Sequence, residues 1–141
     1  MAEDASLAFK LVTPERVVFE GDATLVIAVT TEGEEGILPK HAPFLAALRP
    51  GVLRANVAEN GTSRRLELAT GEGFMQALPE RVTVLVDEAL AFEDVVVARA
   101  REDLEAATER QKGAGIGSER YAREQAAIDF ANAQLRLTGH P

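Results

Sequence analysis

The spacing of hydrophobic residues changes once along this chain, and that change limits the fold most strongly. In the longer N-terminal part, apolar and polar residues alternate, as at Leu7 and Phe9, so every second side chain lies on one face of a strand. After Phe92 the apolar residues recur every three or four positions, which is the period of a helix. The sequence therefore predicts a β domain at 1–91 and a helical domain at 92–141.

The β domain is predicted to contain short strands separated by turn residues. Their spacing of roughly 8–12 residues is typical of a sandwich or a barrel. The strongest turn signal is Asn60-Gly61, because both central positions of a tight hairpin take positive φ. The segments RVVFEG at 16–21 and ATLVIAV at 23–29 are predicted as two separate strands.

The helical domain is predicted as two helices joined by a glycine-rich turn. The first is expected at 93–112, with Asp94 in its first turn, where a negative charge complements the helix dipole. Its apolar stripe consists of Val97, Ala100, Leu104 and Ala107. Ser118 is predicted to cap the second helix, at 119–137. Because many contact positions are alanine, the helices can pack closely as an antiparallel hairpin, weakly anchored to the β domain.

Composition excludes several kinds of function. The net charge of −8 argues against nucleic acid or an anionic membrane as a direct partner. The absence of cysteine excludes disulfides and thiolate chemistry. No apolar run approaches the roughly 20 residues that cross a bilayer, and the acidic start MAEDASLAF is unlike a signal peptide. Any membrane association is therefore expected through another protein.

Neither a catalytic motif nor a metal-binding motif stands out. A metal site would need His41 together with carboxylates such as Glu32 or Glu34, and their spacing does not fix a ligand set. The glycines at 113–117 follow a predicted helix, whereas a phosphate-binding loop follows a strand. We therefore expect no cofactor and no catalytic residues. A free-standing ligand-binding sandwich or small enzyme is the alternative interpretation.

The stretch TEGEEGILPKHAPFL at 31–45, here named the docking segment, differs from the strands around it. Its glycines permit tight turns, and its two prolines stiffen the chain. Apolar residues within it can pin it to the core, which leaves the acidic end projecting from a rigid support. This pattern favours a docking surface over a flexible linker.

Three stretches together resemble the ε subunit family of F-type ATP synthases, the counterparts of the mitochondrial δ subunit. They are LVTPERVVFEG at 11–21, the docking segment with its continuation AALRPGVLR, and VTVLVDEAL at 82–90. The resemblance covers nearly the whole chain and implies a β-sandwich of about ten strands followed by an antiparallel two-helix hairpin. It also implies a non-catalytic rotor subunit of the central stalk, which couples γ to the c-ring during proton-driven ATP synthesis.

The resemblance also implies partners for particular residues. Glu32, Glu34 and Gly36 would face the loops of the c-ring subunits, and His41 would lie in the region that faces γ. As a part of F1, the subunit would be peripheral to the cell membrane on its cytoplasmic face.

The hairpin of bacterial members can extend toward the catalytic α and β subunits and inhibit ATP hydrolysis. The basic residues that would make this contact here are Arg120, Arg123 and Arg136. Arg120 also stands four residues before Glu124, so an ion pair within the helix is the alternative interpretation.

Some bacterial members bind ATP through an I/L-D-x-x-R-A motif at the first helix. When Arg99 is aligned with the motif's arginine, Val96 occupies the aspartate position. A degenerate ATP site would then consist of Asp94, Arg99, Arg120 and Arg123.

Two further departures from the family pattern fall in the β domain. The usual glycine before the histidine is Lys40, and the usual paired glycines before Phe74 are separated as Gly71-Glu72-Gly73. The lysine adds a positive charge beside the docking segment's histidine.

Overall fold

The computed structural model describes residues 6–140 as a β-sandwich followed by two packed helices. The nine strands are β1 Leu7–Val12, β2 Val17–Thr30, β3 Gly33–Ile37, β4 Phe44–Leu48, β5 Gly51–Glu59, β6 Thr62–Thr70, β7 Gly73–Leu78, β8 Arg81–Val86 and β9 Ala89–Ala91. A 3₁₀ turn, Phe92–Asp94, leads to α1 Val97–Lys112 and α2 Glu119–Leu137. The predicted sandwich with a helix pair is confirmed.

The strands form one sheet that closes on itself. Hydrogen bonding follows the order β1-β8-β7-β4-β2-β5-β6-β9, with β3 paired to β2. β2 pairs with β1 as well as with β4, and these two strands stand at opposite ends of the path β1-β8-β7-β4. The 14 residues of β2 therefore join the two layers and enclose one core between them.

The core is built from the inward-facing residues of alternating strands. β1, for example, buries Leu7, Phe9 and Leu11 completely or almost so, as expected for a strand with one face on the core. Every member of the main hydrophobic cluster, including the residues packed at its edge, lies between Leu7 and Ala91. The helices thus lie outside a core that the sandwich completes by itself.

The prediction of two strands at 16–21 and 23–29 was wrong, because both lie within β2. β1 pairs continuously across Gly21, which stands opposite Phe9. On the other edge of β2, pairing with β5 begins at Asp22, with a register irregularity between Ala23 and Leu25. Backbone hydrogen bonds on both edges therefore carry the strand through a position that looked like a break.

The first helix begins later than predicted. Phe92–Asp94 forms the 3₁₀ turn, and α1 starts only at Val97. Val96 has φ −104° and ψ 106°, an extended conformation that suits a β-branched residue. Asp94 consequently lies outside the first turn of α1, and the expectation that it complements the dipole of that helix was wrong.

Two local predictions are confirmed. Asn60 and Gly61 have φ of 52° and 77°, as a tight turn between β5 and β6 requires. The Ser118 hydroxyl accepts a hydrogen bond from the Tyr121 N–H at 3.1 Å and so caps α2.

Candidate docking surface

The acidic tip, residues 31–35, contains the turn between β2 and β3 and the first residues of β3, and one buried threonine holds it. The Thr30 hydroxyl donates to the Gly33 carbonyl at 2.7 Å and accepts from the Glu32 N–H at 3.0 Å. Thr30 is 2% exposed, so this clamp is shielded from water. Gly33 has φ 120°, which favours glycine. Glu32 therefore projects from a turn of fixed shape.

Glu34 and Gly36 lie on β3, beyond the turn. The Glu34 carboxylate accepts a hydrogen bond from the Arg54 guanidinium of β5 at 2.7 Å. Gly36 is exposed and stands opposite Ile27 of β2. The structure thus brings the three residues predicted to face the c-ring onto one β-hairpin, with Glu34 already engaged in an ion pair.

His41 orders the other end of the docking segment. Its Nδ1 lies 2.7 Å from the Ala42 carbonyl oxygen, its Nε2 lies 3.8 Å from a Glu35 carboxylate oxygen, and its ring centre lies 5.9 Å from that of Phe44. These contacts come from the docking segment alone, so they stabilise the loop that leads into β4.

Lys40 anchors the same loop through its backbone. Its N–H donates to the Pro79 carbonyl at 2.6 Å, which fixes the loop beside the β7–β8 turn. Lys40 has φ 68°, the left-handed region that L-residues rarely adopt. The position that departs from the family's glycine is therefore one whose backbone favours glycine.

A row of apolar side chains crosses the outer surface of the sandwich between these two ends. Pairing registers place Val12, Leu85, Phe74 and Ala47 next to one another across β1, β8, β7 and β4, and Leu45 lies two residues along β4 from Ala47. Leu45 is 71% exposed, Phe74 59% and Leu85 53%. We name these five residues the apolar face. This face was not predicted from the sequence, although apolar residues on both faces of β7 and β8 were a usable signal.

Close approach limits the space at both glycines near Phe74, and most strictly at Gly73, where the neighbouring atoms belong to the backbone. A Cβ on Gly73 would overlap the backbone carbonyl of Leu85, and a Cβ on Gly71 would overlap the carboxylate of Asp87. Separating the family's paired glycines by Glu72 therefore leaves a glycine at each point of contact.

Comparison with known proteins supplies the family. The family described as "ATP synthase, Delta/Epsilon chain, beta-sandwich domain" matches residues 6–92. The chain belongs to the ATP synthase delta/epsilon chain family. The ATP synthase epsilon chain of Chromobacterium violaceum is 37% identical over 132 residues, covering 94% of this chain and 92% of that protein. The epsilon chain of Moorella thermoacetica is also 37% identical, over 135 residues, with coverage of 96% and 98%.

Solved structures with the same fold come from two mitochondrial ATP synthases. A chain in the Euglena gracilis enzyme (OSCP/F1/c-ring, rotational state 1) has a TM-score of 0.75 at 20% identity, covering 96% of this chain and 82% of that one. A chain in the Tetrahymena thermophila central stalk/c-ring structure has a TM-score of 0.60 at 17% identity, with coverage of 94% and 96%. The expected family, the epsilon chains of ATP synthases, is confirmed, and with it the expected non-catalytic subunit of an ATP synthase.

Near the interhelical turn, an ion pair joins α1 to α2. The Arg110 Nε donates to both carboxylate oxygens of Glu124 at 3.0 Å. This hydrogen bond lowers the pKa of Glu124, and the nearby charges of Arg120 and Arg123 act in the same direction. Glu124 thus pairs across the hairpin, and the alternative ion pair with Arg120 is not formed among the described residues.

The cationic candidates of the hairpin lie on its exposed surface. Arg120, Arg123 and Arg136 are exposed, and within 6–140 none of them forms an ion pair. Arg99 stands in the first turn of α1, at the end far from the interhelical turn, whereas Arg120 follows that turn directly. With Asp94 before α1, this conformation separates the four residues of the degenerate ATP site into two groups, and that site stays a prediction.

Metal and membrane tests concern the described part of the chain. Between residues 6 and 140, no three histidine, cysteine or acidic side chains are grouped so that they could hold a metal ion. None of the helices described there is both long and apolar enough to span a bilayer.

Proposed function

We propose that the apolar face binds the γ subunit of an ATP synthase and that the acidic tip meets the loops of its c-ring. The apolar face carries the proposal. Contiguous exposed apolar surface is uncommon on a monomer and marks a protein interface. Since the sandwich core is complete without these side chains, their exposure serves no purpose within the fold.

The placement of the two ends of the docking segment supports the same proposal. The Thr31 N–H donates to the Ala47 carbonyl at 3.1 Å, so the acidic tip adjoins one end of the apolar face. The loop with Lys40 and His41 lies near the other end, beside Pro79. A γ subunit seated on the apolar face would thus contact His41, while Glu32 would remain free to meet a second partner.

The proposed role is mechanical coupling. Torque between γ and the c-ring is lost wherever a mobile element deforms, so the connecting element has to be stiff. A close-packed interior of low compressibility transmits strain, and the buried Thr30 clamp extends this stiffness to the tip. The chain would support proton-driven ATP synthesis in this way without bond chemistry of its own, as a peripheral part of F1 on the cytoplasmic face of the cell membrane.

The hairpin is proposed to restrain ATP hydrolysis. Its exposed, unpaired arginines can bind acidic surfaces of the catalytic α and β subunits, where desolvation strengthens charge-assisted hydrogen bonds. Arg120, Arg123 and Arg136 are the residues proposed for this contact.

Co-purification tests the docking proposal. The double variant Leu45→Glu, Phe74→Glu places two charges on the apolar face, and we expect it to lose co-purification with the α, β and γ subunits. Both side chains are more than half exposed, so circular dichroism should show an intact fold. Ile116→Glu is the matched control, because Ile116 is 91% exposed at the interhelical turn, away from the sandwich. Normal co-purification of the double variant would refute the proposal.

Removal of the hairpin tests the regulatory role. A chain ending at Phe92 keeps every residue of the main hydrophobic cluster, so we expect it to fold and assemble. ATP hydrolysis by the assembled complex should rise. A triple variant, with glutamine replacing each of the three arginines, should raise hydrolysis in the same direction with the hairpin present. Unchanged hydrolysis in both complexes would contradict the role.

A further inference from the structure

The seam between the hairpin and the sandwich is poorly packed. α2 lies against β5 and β6, and the seam contains a cavity of about 340 Å³. Asp87 and Glu88 of the sandwich line this cavity together with Asp103 of α1. Burial raises the pKa of Glu88, and repulsion from Asp87, Asp103 and Glu15 raises it further. These acidic groups therefore do little to hold the hairpin in place.

A single ion pair joins the sandwich to the hairpin within the described residues. The Arg49 guanidinium lies 3.5 Å from the Asp129 carboxylate of α2. The side chain of Asp129 is 18% exposed and that of Arg49 is 51% exposed. The carboxylate is thus partly shielded from water at the point where the two parts of the chain meet.

Asp129 continues a ladder of hydrogen bonds into the hairpin. Its carboxylate accepts from the Gln125 side-chain amide at 3.0 Å, and Gln125 accepts from the Gln111 amide of α1 at 2.8 Å. The contact with Arg49 therefore bears on both helices, because the ladder fixes their side chains relative to each other.

Arg49 stands at the base of the acidic tip. Its N–H donates to the Val29 carbonyl at 2.9 Å, on the strand that enters the tip. The neighbouring Leu48 stands opposite Thr30, the residue that clamps the tip. Backbone pairing therefore connects the strand that contains Arg49 to the Thr30 clamp.

A second contact places the end of α2 near the docking segment. Glu34 and Arg54, which form an ion pair, line a pocket of about 240 Å³ together with Arg136 and Leu137 of α2. The docked hairpin therefore adjoins the docking segment at the C-terminal end of α2, and near the middle of α2 it contacts Arg49, which lies beyond the segment.

We propose that Arg49 and Asp129 form a latch that couples docking of the hairpin to the order of the acidic tip. Opening the latch would loosen the tip, and a partner bound at the tip would favour the docked hairpin to the same degree, because coupling between two equilibria is reciprocal. The inference deepens the regulatory role proposed above and rests on it. The Arg49–Asp129 ion pair would thus connect binding at the acidic tip with the position of the hairpin.

Hydrogen exchange on the free full-length chain tests the latch. Arg49→Gln removes the cation, and Asp129→Asn removes the anion while keeping an oxygen that accepts from Gln125. Each change should increase exchange of α2 amides facing the sandwich by about two- to fivefold, the effect of a partly exposed pair. The Glu32 amide should exchange faster by a similar factor. Hydrogen exchange in the double variant should be no faster than in either single variant, because all three variants lack the Arg49–Asp129 ion pair.

Two further variants separate coupling from general loosening. Thr30→Val removes the Thr30 hydroxyl that clamps the acidic tip. If the latch couples the two regions, hydrogen exchange of the α2 amides should also increase. Glu109→Gln breaks the exposed Glu109–Lys112 pair on the same hairpin and should change neither region. The proposal is overturned if Thr30→Val loosens only the tip, or if the effects of Arg49→Gln and Asp129→Asn add. Because the free chain is measured, failure here is distinct from failure of co-purification with other subunits.

Discussion

Lys40 offers a direct test of strain in the docking segment. Its φ of 68° lies in the left-handed region, where an L-residue with a Cβ costs about 1–2 kcal/mol. Glycine escapes that cost but loses more conformational freedom on folding, a penalty of about 0.5–1 kcal/mol. Lys40→Gly should therefore increase the free energy of unfolding by about 0.5–1 kcal/mol. For a sandwich of this size, the expected rise in Tm is about 3–6 °C.

Thermal and urea unfolding followed by circular dichroism measure this change. The hydrogen bond from the Lys40 N–H to Pro79 survives the substitution, so no loss of that contact enters the comparison. Lys40→Ala is the matched control, because it removes the ammonium group and keeps the strained Cβ; its stability should not rise. Asn60→Gly, at φ 52°, should gain less, since asparagine tolerates this region better than lysine. A gain in Lys40→Ala equal to that in Lys40→Gly would show that charge, and not backbone strain, sets the effect.

Three other changes have defined outcomes. Gly73→Ala should lower the free energy of unfolding by about 1–3 kcal/mol in urea titration, because the added Cβ meets a backbone carbonyl. Gly115 has open space around it, so Gly115→Ala should not lower the free energy of unfolding. Glu88→Gln should stabilise the chain at pH 7 by ~0.5 kcal/mol or less. The pKa of Glu88 is raised in the folded chain, so the free energy of unfolding of the unmodified protein falls as pH rises from 4.5 through the folded-state pKa. The lowered pKa of Glu124 has the opposite sign, so its contribution is lost as pH falls below 4.5. Arg110→Gln should reduce that acid-dependent loss in a pH series of melts, because Arg110 is the largest of the groups that lower this pKa.

Local chemistry made part of the fold predictable. The turn at Asn60-Gly61 and the cap at Ser118 depend on residues within four positions of each other, and both were predicted correctly. The break expected near Gly21 was wrong because two partner strands, the preceding β1 and the distant β5, continue the ladder through this part of β2. The same limit explains the first helix, where extended Val95 and Val96 delay a start that acidic residues alone would favour.

The candidate site was predictable where one segment contains it. The docking segment was identified from its glycines, prolines and acids, and both of its ends are held by hydrogen bonds, at Thr30 and at Lys40. Pairing across elements was not predictable. Glu124 had two arginines before it in its own helix, yet it binds Arg110, because the relative rotation of α1 and α2 decides which side chains meet. The apolar face likewise exists only once four strands are in register.

The sandwich and the hairpin are stabilised by different interactions, and this difference suits them to different roles. Complete burial of one large aliphatic side chain contributes about 1.5–3 kcal/mol, and the sandwich buries many such residues in a cluster without helix members. Within residues 6–140, the seam between the hairpin and the sandwich contains a cavity, and the one ion pair across it is partly exposed, an interaction of about 1 kcal/mol or less. Movement of the hairpin therefore leaves the stiffness of the sandwich core nearly unchanged. Only the acidic tip, which is linked to α2 through Arg49, should become less ordered when the hairpin undocks.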